Sequence, residues 1–189
     1  MTPFTTLTSV VAPLLRDNID TDTIIPSREM TSTGRTGLAD GLFAPWRYLA
    51  GRVPDPDFIL NRMPEARIIA SGTNFGCGSS REHAVWALSE YGIGAVIAES
   101  FAPIFRGNCI RNGVLPVVLA KEAIAALAGH QVTIDLPVQT VAGYPFDIDA
   151  EAKAMLLEGF DAIDLTLKHA GAISFFHVRD RALRPWVYL

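Results

Sequence analysis

The apolar positions of this chain fall into short runs separated by glycine, proline and charged residues. Three runs are rich in β-branched or small apolar residues and have the length of buried strands: Ala66–Ser71, Gly94–Ser100 and Val114–Ala120. An earlier run at Ser9–Leu15 predicts a first strand. The pattern therefore indicates a sheet whose central strands are buried on both faces.

Between these runs the apolar residues recur at helical spacing. A pattern from about Ser80 to Tyr91 predicts a helix that Gly92 would end in a left-handed conformation. A second helix is expected over Phe101–Asn112, with Ser100 as its N-cap and Gly113 at its end. Strands that alternate with helices at this spacing predict right-handed, parallel βαβ units.

The remaining segments complete an α/β prediction. Residues 121–129 predict a short helix, 131–149 two or three strands, and 150–189 a helical tail. The stretch before the second strand is rich in Gly, Pro, Asp and Thr, and we expect a mobile loop at about 27–60. The sequence thus predicts one domain over 1–189, with a small added β layer.

Composition narrows the class of protein. The net charge is −4 and no basic run occurs, which argues against nucleic acid and anionic membranes as partners. No apolar run approaches the roughly 18 residues of a membrane span. The N-terminal residues lack a basic region before an apolar stretch, so we expect no signal peptide. Only two cysteines are present, which favours the reducing cytoplasm.

The stretch Phe75–Leu88, "FGCGSSREHAVWAL", carries the candidate chemistry. Ser79 and Glu82 have the spacing of a capping box, and the glycines before them allow close approach to the backbone. A helix start and the planar fork of Arg81 would both favour an anion, such as a carboxylate. The pattern leaves two interpretations open, a carboxylate-binding or catalytic site and a helix cap alone.

Four other side chains invite chemical interpretations that simpler ones outweigh. Cys77 could be an activated thiolate, but a small filler in a glycine turn suits it better. His83 fits a structural histidine, because Cys77 and His83 would lack two further metal ligands. Asp20 and Asp22 resemble a metal pair, but turn and capping roles are more common.

Several segments in order resemble one known family. The stretch Phe75–Leu88 resembles the signature of the swivelling domain of the aconitase superfamily, and in particular the small subunits of isopropylmalate dehydratases (isomerases). Four further segments resemble the same family in the same order: Asn18–Pro26, Gly34–Leu49, Ser100–Val117 and Leu156–His169. The resemblance covers residues 8–176, and five matching segments are far more specific than one.

The resemblance implies a β/β/α swivelling domain and an active site shared between two chains. A separate large subunit, in a heterodimer or heterotetramer, would carry a [4Fe–4S] cluster on three cysteines, and this chain would bind no cofactor. The two cysteines present here agree, since they cannot hold such a cluster. The implied reaction isomerises 2-isopropylmalate to 3-isopropylmalate by dehydration and rehydration, in leucine biosynthesis.

The resemblance also implies roles for particular residues. Ser79 aligns with the proposed base, and Ser80 and Arg81 align with a pair that contacts the substrate. The loop at about 27–37 would determine specificity, and Arg35 is a candidate for a second carboxylate contact, or equally for holding the loop. Two alternatives remain: a related hydro-lyase acting on citramalate, homoaconitate or dimethylmaleate, and a carboxylate-binding module without chemistry.

Overall fold

The computed structural model describes residues 1–30 and 34–188. Its strands are β1 (Thr6–Pro13), β2 (Ile68–Ala70), β3 (Ala95–Ala98), β4 (Leu115–Val118), β5 (Gln131–Asp135), β6 (Thr140–Val141) and β7 (Tyr144–Pro145). Within the described ranges they form one sheet in the order β4-β3-β2-β1-β5-β6-β7. Strands β1 to β4 pair in parallel, which confirms the predicted βαβ units. Strands β5 to β7 are the predicted additional β structure, and they extend the sheet in antiparallel fashion.

Nine α-helices lie in the described part of the chain. They are α1 (Thr21–Ile24), α2 (Ala44–Arg47), α3 (Ile59–Arg62), α4 (His83–Tyr91), α5 (Pro103–Arg111), α6 (Lys121–Leu127), α7 (Ala150–Glu158), α8 (Ala162–Leu167) and α9 (Ala170–Leu183). Four 3-10 turns accompany them at Ser27–Glu29, Ala39–Gly41, Ala50–Arg52 and Pro185–Tyr188. The long loop of the sequence prediction thus holds short helices, while residues 31–33 lie outside the described part. Its mobility stays a prediction.

The central strands bury both faces, as their unbroken apolar runs predicted. Val11 of β1 and Ile68 of β2 pack into one buried cluster, with side chains of α6 and α7. The next residues along the two strands, Ala12 and Ile69, pack into a second cluster, with side chains of α4 and α5. Successive residues of a strand point to opposite faces, so each short strand contributes to both clusters.

Helix boundaries differ from the prediction at two places. Helix α4 begins at His83 instead of Ser80, although it ends as expected before Gly92, whose φ is +100°. Helix α5 begins with Pro103, a favoured first residue of helices, and no side chain caps it. The prediction that Ser100 caps α5 is wrong, because Ser100 Oγ accepts a hydrogen bond from the backbone N–H of Asn74 at 2.8 Å.

Two loops that follow neighbouring parallel strands run side by side and position the site. The N–H of Gly76 donates to the carbonyl of Ile19 at 2.7 Å, and the N–H of Thr21 donates to the carbonyl of Cys77 at 2.8 Å. These loops follow β1 and β2. The carboxyl ends of parallel strands are where α/β folds commonly place ligands. No helix in the described ranges is long and apolar enough to cross a membrane.

Candidate active site

A glycine turn delivers Ser79 to the edge of the sheet. Gly76 has a φ of +77°, and a Cβ atom there would lie 2.1 Å from the ring of Phe105. Gly78 follows with a φ of +96°. A side chain at 76 would therefore both strain the backbone and displace a fully buried ring. These glycines let the chain turn tightly over α5 and bring Ser79 beside Thr21.

The Ser79 hydroxyl is surrounded by polar groups. Arg81 Nε donates to Ser79 Oγ at 2.6 Å, and Thr21 Oγ1 lies 3.0 Å from the same oxygen. The N–H of Ser79 donates to Thr21 Oγ1 at 3.1 Å. Thr21 is buried, with an exposed fraction of 1%, so its hydroxyl is fixed by these contacts. The oxygen of Ser79 is thus placed to carry negative charge next to a guanidinium.

Arg81 uses all three of its nitrogens. Besides Nε on Ser79, Nη1 donates to Ser27 Oγ at 2.7 Å, and Nη2 lies 2.6 Å from Asp22 Oδ1. The Arg81 side chain is 30% exposed and that of Asp22 is 58% exposed. A guanidinium with a carboxylate on its outer nitrogen is arranged as it would be around a bound carboxylate ligand. The arginine can therefore grip an anion while it still contacts Ser79.

The capping box predicted from the sequence does not form. Glu82 itself occupies the N-cap position of α4 with helical φ and ψ, and no side chain caps the helix. Its carboxylate accepts a hydrogen bond from Asn112 Nδ2 at 2.8 Å instead of reaching back to Ser79. Neither Ser79 nor Ser80 is the cap, since α4 starts at His83. The positive charge beside Ser79 thus comes from Arg81 and not from a helix that begins there.

Helix α5 supports the turn from behind. Asn108 is buried and donates from Nδ2 to the carbonyl of Ser80 at 3.4 Å, while its Oδ1 accepts from Arg111. The side chain of Ser80 is exposed at the surface of the turn. Asn112 also accepts from Trp86 Nε1 at 3.0 Å, which links α5 to α4. The sequence prediction missed Asn108. The only available signal was a polar residue among the apolar residues of a helix expected to be buried.

Arg35 lies elsewhere. Its guanidinium carbon lies 5.4 Å from the centre of the Trp86 ring, a cation–π contact. Arg35, Trp86 and Arg111 line a cavity of about 380 Å³. Among the contacts of the described residues, Ser79 and Arg81 come together, whereas Arg35 joins Trp86. His83 packs its ring 4.7 Å from that of Trp86, which fits a structural role.

The sequence prediction did not connect three members of the site with Ser79 and Arg81. Thr21, Asp22 and Ser27 all belong to the loop after β1 and meet the glycine turn only in the fold. Asp20 does cap α1, since its Oδ1 accepts from the N–H of Thr23 at 2.6 Å. Asp22, by contrast, does not cap α1 but forms an ion pair with Arg81.

The cysteines do not suit an iron–sulfur cluster. Cys77 is half-buried in the glycine turn, and burial raises the pKa of the fully buried Cys109 thiol far above its usual value. A thiol so raised is a poor metal ligand, because ligation requires the thiolate. Within the described ranges, no three His, Cys, Asp or Glu side chains gather as a metal site. The residues of this chain therefore do not fit a cluster held on three cysteines.

Comparison with known proteins gives consistent matches. The family model of the aconitase C-terminal domain matches residues 1–122. The 3-isopropylmalate dehydratase small subunit of Cupriavidus necator is 56% identical, over 100% of this chain and 99% of its own. That of Agrobacterium fabrum is 46% identical, over 98% and 100%. The crystal structure of a 3-isopropylmalate dehydratase from Methanocaldococcus jannaschii is 30% identical and has a TM-score of 0.70, over 89% of this chain and 98% of that one. These matches confirm the predicted swivelling-domain fold.

Proposed function

The chain belongs to the family of 3-isopropylmalate dehydratase small subunits, and from this premise we propose that it forms half of the active site of that hydro-lyase. With a large subunit, in a heterodimer or heterotetramer, it isomerises 2-isopropylmalate to 3-isopropylmalate through 2-isopropylmaleate. This reaction belongs to leucine biosynthesis, which we place in the cytoplasm.

The proposal rests on the contacts that Arg81 makes with Asp22 and Ser79. Its Nη2 holds the carboxylate of Asp22 at 2.6 Å while its Nε holds Ser79 Oγ at 2.6 Å. A substrate carboxylate that replaces Asp22 would place the adjoining carbon near the serine oxygen. Contacts from one guanidinium to both the serine oxygen and the carboxylate would fix the distance and the orientation of the reacting group.

Ser79 is the proposed base that removes the carbon-bound proton. A serine hydroxyl is a weak base unless its ionised form is stabilised, and Arg81 Nε and Thr21 Oγ1 both lie within hydrogen-bond distance of its oxygen. Thr21 Oγ1 already accepts from the N–H of Ser79, so its own proton is free to point at Ser79 Oγ. Ser80 contacts the substrate from the exposed side of the turn. A substrate contact for Arg35 stays a prediction.

The cluster is expected on the large subunit, because this chain has only two cysteines. Bound there, a [4Fe–4S] cluster would supply a Lewis acid for the hydroxyl that leaves. The residues of this chain supply the serine, the grip on a carboxylate and the cover that excludes water.

The experiment is reconstitution. The chain is mixed with the cluster-loaded large subunit from the same source, and 2-isopropylmalate and citramalate are offered in parallel. We expect formation of 2-isopropylmaleate and 3-isopropylmalate, and little turnover of the smaller citramalate.

Two outcomes would overturn parts of the proposal. Preferred turnover of citramalate, homoaconitate or dimethylmaleate would keep the reaction type but replace the substrate. Failure to associate with a cluster-bearing subunit would favour a carboxylate-binding module without chemistry.

A further inference from the structure

Helix α9 and the 3-10 turn after it, residues 170–188, form a segment that we call the arm. Within the described chain the arm has a single buried residue, Asp180. Its cover comes from the arm itself, since Arg184 Nε donates to Asp180 Oδ1 at 2.7 Å and Tyr188 Oη donates to Oδ2 at 2.6 Å. A helix as short as α9 is only marginally stable alone in water. The arm therefore lacks the packing that normally keeps such a helix folded.

The arm exposes an extended apolar surface. Six of its large apolar residues are each more than half exposed: Phe175, Phe176, Val178, Leu183, Trp186 and Val187. Phe175 and Val178 lie three residues apart, and Phe176 and Leu183 lie seven apart, so they form two neighbouring rows on α9. At about 100 Å² each, the six residues present about 600 Å², as much as the largest apolar patch of a typical monomer. A surface of this size indicates that another molecule covers it.

The arm is also basic. It carries three arginines against one aspartate. Two of the arginines contact Asp180 and Tyr188 of the arm, whereas Arg179 forms no hydrogen bond or ion pair within the described chain. Arg179 lies one helical turn after Phe175 and Phe176, and so between the two apolar rows. The surface that covers the arm should therefore combine apolar side chains with acidic ones.

The same chain carries a surface of that kind directly before the arm. Residues 147–164 hold six acidic residues and one lysine. Helix α8, which begins in this segment, exposes Ile163 and Leu167 at 68% and 61%, and the two lie four residues apart on one face. Among the described residues, no arginine of the arm forms an ion pair with 147–164 of its own copy. One copy thus holds both complementary surfaces and leaves both uncovered.

Two copies can cover both surfaces at once. In a two-fold dimer the contact made by one copy is repeated by the other, so each arm can lie on the acidic segment of its neighbour. The two arms would bring about 1,200 Å² of apolar surface into the interface, and stable interfaces between proteins begin at about this area. Area and charge therefore both suit a second copy of this chain.

We propose that two copies of this chain associate reciprocally through the arm, with α9 of each copy lying on α7 and α8 of the other. The inference does not depend on the proposed reaction. With a large subunit bound to each copy, the assembly is a heterotetramer and not a heterodimer.

The test is the mass of the full chain in solution, measured by sedimentation with and without the double substitution Phe175→Ser and Val178→Ser. Both residues are more than 70% exposed, so the fold should persist, and circular dichroism checks it. We expect the wild-type chain to have the mass of two copies, and the double variant to dissociate with a Kd raised about 100-fold, as for residues at the centre of an interface. Val138→Ser, at a residue 67% exposed outside the arm, is the control and should leave the mass unchanged.

A mixing experiment tests the reciprocal geometry. Ile163→Ser changes the receiving face of α8 and should also weaken the dimer. A copy with the altered arm and a copy with Ile163→Ser would still form one intact contact of the two, from the unaltered arm to the unaltered α8. We therefore expect the mixture to dimerise more tightly than either variant alone. No recovery on mixing would overturn the proposed contact of arm with α8.

Three other results would overturn the inference. The first is a wild-type chain that stays monomeric at about 100 μM, where a specific dimer should form. The second is an unchanged dimer in the double variant. The third is a monomeric wild-type chain whose double variant no longer binds the large subunit, or no longer binds vesicles containing phosphatidylglycerol, since the arm would then serve that partner. The measurement of mass uses no substrate, so failure of the proposed reaction is a separate outcome.

Discussion

Two charged side chains lie at opposite ends of helix α4, and they bind different kinds of partner. Arg81, two residues before the helix, contacts side chains, namely those of Ser79, Ser27 and Asp22. Glu90, in the last turn, contacts backbone N–H groups only among the hydrogen bonds of the described residues. A side-chain partner can rotate away without moving the chain, whereas a backbone partner leaves only if the chain moves.

We call Arg81 with its side-chain partners the exchange site, because a ligand could replace one of them. We call Glu90 with the N–H groups of Gly37–Ala39 the anchor. Arg81 and its partners are partly exposed. Because the carboxylate of Asp22 is 58% exposed, solvent screens its ion pair with Arg81, and the pair is weak. The Glu90 cluster joins a helix to a segment that continues into the core at Leu38. One end of α4 is thus suited to take up a ligand, and the other to keep the surrounding loop in position.

Removal of the Ser79 hydroxyl should have the largest effect on turnover. Ser79→Ala removes the proposed base and leaves Arg81 Nε without its acceptor, so turnover should fall by about 10²- to 10⁴-fold, the usual contribution of general acid–base catalysis. The measurement is kcat with the cluster-loaded large subunit, and association should persist. Ser89→Ala, at an exposed serine of helix α4, is the control. Near-normal turnover in Ser79→Ala would exclude the serine as base.

Arg81→Lys tests whether the planar fork matters beyond its charge. Lysine keeps the charge but cannot contact Ser79, Ser27 and a carboxylate from fixed directions. We expect kcat/KM to fall about 100-fold, which corresponds to two lost charge-assisted contacts. Steady-state kinetics measure it, with Arg62→Lys at an exposed position as the control. An unchanged kcat/KM would mean that Arg81 acts as a simple point charge.

Asp22→Asn tests whether the partner at the exchange site competes with the ligand. The pair is exposed, and such pairs contribute only about 0.2–1 kcal/mol, so KM for 2-isopropylmalate should fall by about 1.4-fold to fivefold. The matched control is Asp147→Asn, at an exposed acid after β7. A rise in KM would show that Asp22 orients Arg81 for the substrate and does not compete with it.

The smallest effect is expected at Glu90, where the contacts with residues 37–39 should weaken in acid solution. Partial burial opposes ionisation of Glu90, but hydrogen bonds from Gly37, Leu38 and Ala39 outweigh it and lower the pKa of the carboxyl below its usual 4.5. A lowered pKa adds stability above the unfolded value, and this stability is lost as the pH falls through the folded value. Three other charged side chains, those of Arg35, Arg111 and Asp161, line the cavity that Glu90 also lines.

Hydrogen exchange of the isolated subunit gives the readout. Protection factors at the amides of 37–39 should stay constant from pH 8 to about pH 5 and fall in more acid solution. Glu90→Gln should have lower protection and no such acid-dependent loss. Loss of protection between pH 5 and 8 would implicate another titrating group.

The sheet could be predicted because its signal is local. Val96 and Ile97 alternate between two buried clusters, so an unbroken apolar run was sufficient to identify a strand covered on both faces. Gly92 similarly marked the end of α4, since its positive φ is a property of one residue.

The site could be predicted only in part, because its contacts are not local. Ser79 and Glu82 have the spacing of a capping box, but Thr21 and Asn112 from distant segments take part in their hydrogen bonds. Nothing in the spacing of Asp22 indicates Arg81 as its partner, since two loops must first pair through backbone hydrogen bonds. Tertiary contacts thus overrode a local preference worth about 1 kcal/mol.

The ion pair of Asp22 with Arg81 also sets a condition on whatever the arginine binds. Asp22 is tethered to the same chain, so it competes for the guanidinium at a fixed effective concentration that dilution cannot lower. A ligand with one carboxylate exchanges one ion pair for an equivalent one and gains little. If Arg81 binds a carboxylate, the competition from Asp22 would favour molecules with a second point of attachment over monocarboxylates by a few-fold.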